Sequence, residues 1–176
     1  KVKTHLVGEF NLDNALAAAA IGKYFGINGQ IISDALETYQ PQNNRSQFER
    51  TANNDLIIDS YNANPTSMKV SLEFFVKIPS NLPKAMILGD MKELGDISIV
   101  EHKKLIDFVK TQNIEKIYLV GSIFKQLAPS PSDGSPIEVF ENIDQLNKVL
   151  QEQPLKGYYI LLKGSHSIRL DKAIPF

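Results

Sequence analysis

Asp59, Ser60, Tyr61, Asn62 and Asn64 crowd hydrogen-bonding side chains into one short stretch, behind the apolar run Leu56, Ile57, Ile58 and ahead of Pro65. A carboxylate, a phenol and two carboxamides at the end of a buried strand can grip a polar ligand, and strand ends are where α/β proteins bind ligands. Turn chemistry alone is the alternative, because asparagine tolerates tight-loop dihedrals and Asn64 with Pro65 suits a helix start. Asp90, Lys92 and Glu93 follow a second apolar run that ends at Gly89. Two carboxylates beside a lysine can bind an ammonium group or orient a polar substrate; a solvated charged loop is the plainer explanation. Lys163 and Ser165, flanking Gly164 after a third apolar run, can hold an anion. Asn11 is explained by helix capping, but Asn14 lies a turn inside, where asparagine is a poor helix former. Its carboxamide can read a nucleobase edge, or simply face solvent.

The elements that must position these groups follow from the hydrophobic pattern. A strand end is expected at 5–8 and an alanine-rich helix at 12–25, closed by Gly26. The alanines at 17–20 suit close packing against another element. A second helix is expected over 30–39 with Asn28 near its start. The polar, breaker-rich stretch 40–45 is the candidate domain boundary. Beyond it, strands are expected at 47–51, 56–59, 85–89, 116–120, 137–140 and 158–163. Helices are expected at 66–78, 98–112, 122–127 and 143–153, with a short stub near the end. In the 98–112 helix, Leu105, Ile106 and Val109 share an apolar stripe. Strands alternating with helices predict an α/β fold, a Rossmann-like, mostly parallel sheet with helices on both faces. Asp59, Asp90 and Lys163 then face one edge. The proline-rich segment 129–136 reads as an exposed loop.

Composition bounds the rest. The chain has 176 residues, 43% hydrophobic and 22% charged, with net charge -1 and no cysteine. Nothing in that balance favours nucleic acid, and without cysteine there is no disulfide framework or thiolate metal site. His5, His102 and His166 are scattered without metal-ligand spacing. No apolar run is long enough to span a bilayer, and the expectation is a cytoplasmic, monomeric protein.

Taken in order, several strings resemble the later part of the Mur ligases. They are Gly-Glu-Phe-Asn-Leu-Asp-Asn-Ala-Leu-Ala-Ala at 8–18, Asn44 with Arg45, Asp-Ser-Tyr-Asn-Ala-Asn-Pro at 59–65, Gly-Asp-Met-Lys-Glu-Leu-Gly at 89–95 and Leu-Lys-Gly-Ser at 162–165. The resemblance covers nearly the whole chain. It implies an ATP-dependent, Mg2+-requiring peptide ligase of peptidoglycan precursor synthesis, with UDP-N-acetylmuramoyl-tripeptide and D-alanyl-D-alanine as partners. It further implies that Asn11 and Asn14 contact adenine, Arg45 lies near the phosphates, Asp59 holds the ribose, and Tyr61, Asn62 and Asn64 shape that edge. Asp90, Glu93, Lys163 and Ser165 are the candidates for positioning the acceptor dipeptide.

The chain departs from the family pattern in having no G-x-x-x-x-G-K-[ST] phosphate loop. The resemblance therefore implies a fragment: residues 1–42 as the tail of the central ATP-binding domain, its helices preceding the Rossmann-like domain at 43–176. The metal ligands fall outside it, the last helix is cut short at 173–176, and the fragment is expected to be without ligase activity on its own. Three alternatives stay open. One is a Mur ligase with another acceptor, one a ligase like the folylpolyglutamate synthases, and one a non-catalytic nucleotide-binding or assembly module of the same fold.

Overall fold

The computed structural model describes residues 1–42, 44–128 and 134–173. Two helices come first, α1 (Leu12–Tyr24) and α2 (Gly29–Thr38), preceded by a 3-10 turn at Glu9–Asn11. The alternating part follows as β1 (Gln47–Arg50), β2 (Asp55–Asp59), α3 (Pro65–Lys77), β3 (Lys84–Gly89), α4 (Ser98–Lys110), β4 (Lys116–Val120), α5 (Ser122–Gln126), β5 (Ile137–Phe140), α6 (Ile143–Glu152) and β6 (Tyr159–Lys163). Short 3-10 turns at His166–Ile168 and Leu170–Lys172 stand where the terminal stub was expected.

The strands form one sheet of six, ordered β1-β2-β6-β3-β4-β5. β1 pairs antiparallel with β2 and forms one edge, and all other pairings are parallel. This is the expected Rossmann-like α/β class. Period-two alternation divides the strand residues between two cores. Ile57, Met86, Leu88 and Leu161 pack with Met68, Leu72 and Phe75 of α3 and with Leu105, Ile106 and Val109 of α4. Leu56, Ala85, Ile87, Ile160 and Leu162 pack on the opposite face with Ile143, Leu146 and Leu150 of α6 and with Leu170. Ala85 through Leu88 are completely buried, which explains why β3 reads as an unbroken apolar run.

Local chemistry sets the helix ends. Asn64 caps α3: its side chain accepts from the Ser67 N–H, the Ser67 hydroxyl accepts from the Asn64 N–H, and Pro65 takes the first helical position. At the other end of α3 the Lys84 ammonium donates to the carbonyls of Phe75, Val76 and Ile78, neutralising the negative end of the helix.

Two expectations are corrected. Residues 5–8 form no strand, because a strand needs a hydrogen-bonded neighbour and none of the described strands pairs with them. Asn11 does not cap α1 with its side chain; it ends the 3-10 turn in helical conformation, and its carboxamide donates to the Val7 carbonyl instead. The alanine-rich α1 has no buried residue. It touches α2, where a Cβ on Gly22 would lie 3.1 Å from Ile32, but Leu12, Leu16, Ile21, Tyr24 and Phe25 remain largely exposed. Residues 129–133 of the expected loop and 174–176 of the expected last helix lie outside the described residues. Among the described residues no helix is long and apolar enough to cross a membrane.

Candidate functional site

Asp59 and Lys163 are the last residues of two neighbouring parallel strands and face each other in register. From there β2 leads into α3 on one face, while the chain after β6 packs Leu170 onto the other. Connections that diverge in this way open a crevice at the strand ends, the switch-point geometry of nucleotide-binding α/β proteins. Within it the Lys163 ammonium donates to Asp59 Oδ2 at 2.6 Å, and the lysine side chain is only 1% exposed. The Ser46 N–H reaches Asp59 Oδ1 at 3.3 Å and the Ser71 hydroxyl reaches Oδ2 at 3.5 Å, both long bonds that leave the carboxylate capacity to accept more.

Arg45 is presented by an unusual backbone. Asn44 and Ser46, on either side of it, have φ of 58° and 45°, in the left-handed region that non-glycine residues enter at a cost. The turn is stitched to the end of β2 by the Tyr61 N–H, which donates to the Asn44 carbonyl, and by the Ser46 bond to Asp59. The guanidinium lies 3.8 Å from the centroid of the Tyr61 ring. Stacking uses the face of the guanidinium and leaves its N–H edge open to the cleft. Asn62 bonds its own neighbour, the Ala63 N–H, and Asn64 is the α3 cap, so both shape the loop.

The opposite wall comes from the start of α1. Asn14 donates to Asn11 Oδ1 at 3.0 Å, which holds the two carboxamides side by side with the Asn14 oxygen unused. Between the walls lies a cleft of about 710 Å³, the size of ordinary small-molecule sites. Asn11, Asn14, Arg45, Asp59, Tyr61, Asn62 and Asn64 all line it, with Lys163, Phe10 and Tyr39 among the other contacts. Phe10 packs edge-on against Phe74 of α3, tying this wall to the sheet domain.

The acceptor group divides. Lys163 stands in this cleft, whereas Asp90, Glu93 and Ser165 do not line it. Asp90 is fully buried and its carboxylate is consumed internally: Oδ1 accepts from the Phe124 N–H, and Oδ2 from the Ile123 N–H and the Lys92 ammonium. In this structure Asp90 is not displayed in the cleft; it anchors the start of α5. A Cβ on Gly121, whose φ is 138°, would fall 2.2 Å from that carboxylate, so glycine is required there. Ser165 is buried too, its hydroxyl accepting from the Lys92 N–H. Glu93 is exposed at φ 65°. His102, fully buried in α4, completes this knot: Nε2 accepts from the Met91 N–H and Nδ1–H donates to the Ser98 carbonyl. Burial pushes its pKa below the usual value, against the opposing pull of the Ser98 bond and the nearby Asp90.

Two contributors escape a reading of the sequence. Ser46 carries no motif signal. Ser71 does: it is a polar residue between Met68, Leu72 and Phe75 on the buried face of α3, and a hydroxyl there needs a partner. Among the described residues no group of three or more His, Asp or Glu side chains is placed to hold a metal ion.

Residues 44–166 match the family described as Mur ligase, glutamate ligase domain. The UDP-N-acetylmuramoyl-tripeptide--D-alanyl-D-alanine ligase of Bacillus subtilis is 28% identical over 173 residues, covering 96% of this chain and 38% of that protein. The enzyme of the same name from Buchnera aphidicola (subsp. Baizongia pistaciae) is 34% identical over 169 residues, covering 94% of this chain and 36% of that protein. A crystal structure of MurF from Acinetobacter baumannii superposes with a TM-score of 0.83 at 29% identity, over 98% of this chain and 38% of that one. MurF from Thermotoga maritima, solved with ADP, shares the fold at a TM-score of 0.73 and 20% identity, over 96% of this chain and 38% of that one. The chain thus spans little more than a third of the length of these relatives.

Proposed function

The chain belongs to the Mur ligase family, and from that premise we propose that it is the nucleotide-gripping C-terminal part of a ligase that joins D-alanyl-D-alanine to a UDP-N-acetylmuramoyl-tripeptide at the expense of ATP. Residues 1–42 are the tail of the central ATP-binding domain and 43–176 the C-terminal Rossmann-like domain. The observation that carries the reading is convergence: residues from α1, from the 44–46 turn and from the end of β2 line one cleft of nucleotide size. The apolar side chains that α1 leaves exposed around its circumference, Leu12, Leu16 and Ile21 among them, suit a helix whose own domain continues beyond this chain.

The residues fit ATP as a substrate. Asn14 has a free carboxamide oxygen for an adenine amino group, Asp59 has acceptor capacity for ribose hydroxyls, and Arg45 offers a guanidinium edge that matches phosphate oxyanions. They do not fit Mg2+, since the charge of Asp59 is already balanced by Lys163, Asp90 is buried against the α5 backbone, and among the described residues no group of three acids or histidines converges. The metal belongs with the phosphate loop in the preceding part of the longer protein.

In the proposed reaction ATP phosphorylates the tripeptide carboxylate, and the dipeptide amine displaces phosphate from the acyl phosphate. The side chains here hold and orient rather than exchange bonds, and such positioning is worth several orders of magnitude in rate. Steady-state assay of the full-length protein with ATP, UDP-N-acetylmuramoyl-tripeptide and D-alanyl-D-alanine tests the proposal. Coupling of the dipeptide is expected, with Arg45→Ala and Asn14→Ala each raising KM for ATP about tenfold, the effect of one lost polar contact. Exclusive use of a single amino acid as acceptor, or an unchanged KM for ATP in both variants, overturns it.

A further inference from the structure

The ammonium of Lys163 sits at a cleft wall with three donors and one protein partner, Asp59 Oδ2 at 2.6 Å. Lys163 lines the cleft with only 1% of its side chain exposed, and among the described residues its ammonium has no partner besides Asp59, so an acceptor carried by a bound ligand would complete its hydrogen bonding. Beside it, Asp59 Oδ1 receives a single long bond from the Ser46 N–H. The pair therefore offers an acceptor and a donor a few ångströms apart with no net charge between them. Such a site is poorly matched to a carboxylate or a phosphate, whose charge the aspartate repels. It is well matched to two adjacent hydroxyls, each of which both donates and accepts. The residues expected to share an acceptor site with Lys163 stand apart, since Asp90, Glu93 and Ser165 do not line this cleft.

We propose that Lys163 is a nucleotide-specificity residue that reads the ribose diol of the bound nucleotide together with Asp59, and takes no part in holding the acceptor dipeptide. The inference rests on the nucleotide reading of the cleft and deepens it. Asp59 accepts from one ribose hydroxyl, Lys163 donates to the other, and their own ion pair fixes the spacing.

The test uses the full-length ligase with ATP, 2′-deoxyATP and 3′-deoxyATP as alternative substrates. The wild type is expected to lose about tenfold or more in kcat/KM with at least one deoxynucleotide. In Lys163→Met that discrimination falls to within about threefold, KM for ATP rises about tenfold, and KM for D-alanyl-D-alanine stays within about twofold. Because the single variant leaves a buried carboxylate unpaired and can lower stability, the neutral double variant Asp59→Asn/Lys163→Met is measured alongside; it is expected to discriminate no better than Lys163→Met. A wild type indifferent to both ribose hydroxyls overturns the proposal without recourse to any variant. So does a rise in KM for the dipeptide with discrimination intact. Failure of the nucleotide reading itself shows separately, as an unchanged KM for ATP in Arg45→Ala and Asn14→Ala.

Discussion

Replacing Asp90 by asparagine should cost this domain a large part of its stability although no volume is lost. The carboxylate is fully buried and accepts the Ile123 and Phe124 N–H groups at 3.1 and 3.0 Å, one on each oxygen. Both donors belong to α5, a helix of five residues that is too short to persist without an anchor. Asparagine has one oxygen, so whichever way the amide turns, an NH2 group meets one of the two donors. A charge-assisted bond is lost and a buried N–H is left unpaired, about 2–4 kcal/mol together. Lys92 also loses its acid, but that ammonium is 38% exposed and the pair is worth little. Against a typical total of about 5–15 kcal/mol this is severe. With a urea slope of about 2 kcal/mol/M the unfolding midpoint should fall by about 1–2 M, read by far-UV circular dichroism. Lys92→Met is the control: it removes the ammonium but keeps both α5 N–H bonds to Asp90, so it is expected to cost less than Asp90→Asn. A change below about 0.5 kcal/mol for Asp90→Asn, or a loss in Lys92→Met as large as in Asp90→Asn, refutes the assignment of the energy to the α5 anchor.

Two further outcomes follow from the same region. The Nε2 of His102 is occupied by the Met91 N–H, and burial keeps its pKa below the ordinary 6.5. The unfolded chain therefore takes up a proton first, so the contribution of His102 is complete above about pH 6.5 and is lost as pH falls below that value. Urea midpoints measured from about pH 8 to 5 should decline over the acid end, and His102→Asn should be less stable at neutral pH but flatter across that range. At Gly164, a Cβ would lie 2.8 Å from the Gly89 Cα and 2.9 Å from its nitrogen, both backbone atoms that cannot swing aside. Gly164→Ala should therefore push the ends of β6 and β3 apart and destabilise by about 1–3 kcal/mol in the same urea assay, while an unchanged midpoint would show that the contact relaxes freely.

What the sequence disclosed depended on whether the signal was local. The unbroken apolar runs in β3, β4 and β6 declared strands buried on both faces, and Asn64 with Pro65 declared the start of α3. Each is written in a few adjacent residues. The meaning of Asp90 was not, because a loop acid that meets substrate and one that anchors a later helix look alike until the chain 33 residues on is in place. The strand expected at 5–8 failed for the complementary reason: strand character depends on a neighbour, and periodicity says nothing about whether one exists. The cleft residues around Asp59 were legible as a set of ordered strings, while the supporting bonds from Ser46 and Ser71 depend on a left-handed turn and a helix rotation that the strings do not encode.

β6 lies late in the chain yet third across the sheet, inserted between β2 and β3. The ion pair lining the cleft consequently joins residues 104 positions apart. As the chain leaves the ribosome, β2 and β3 are made long before the strand that must sit between them, and they cannot pair with each other without closing its slot. Non-local pairings of this kind slow folding, since the loop-closure entropy is spent before the contacts return it. The cleft therefore has no half-built form: until β6 docks, Asp59 has no lysine, and the paired carboxylate and ammonium arrive in the same step as the finished sheet.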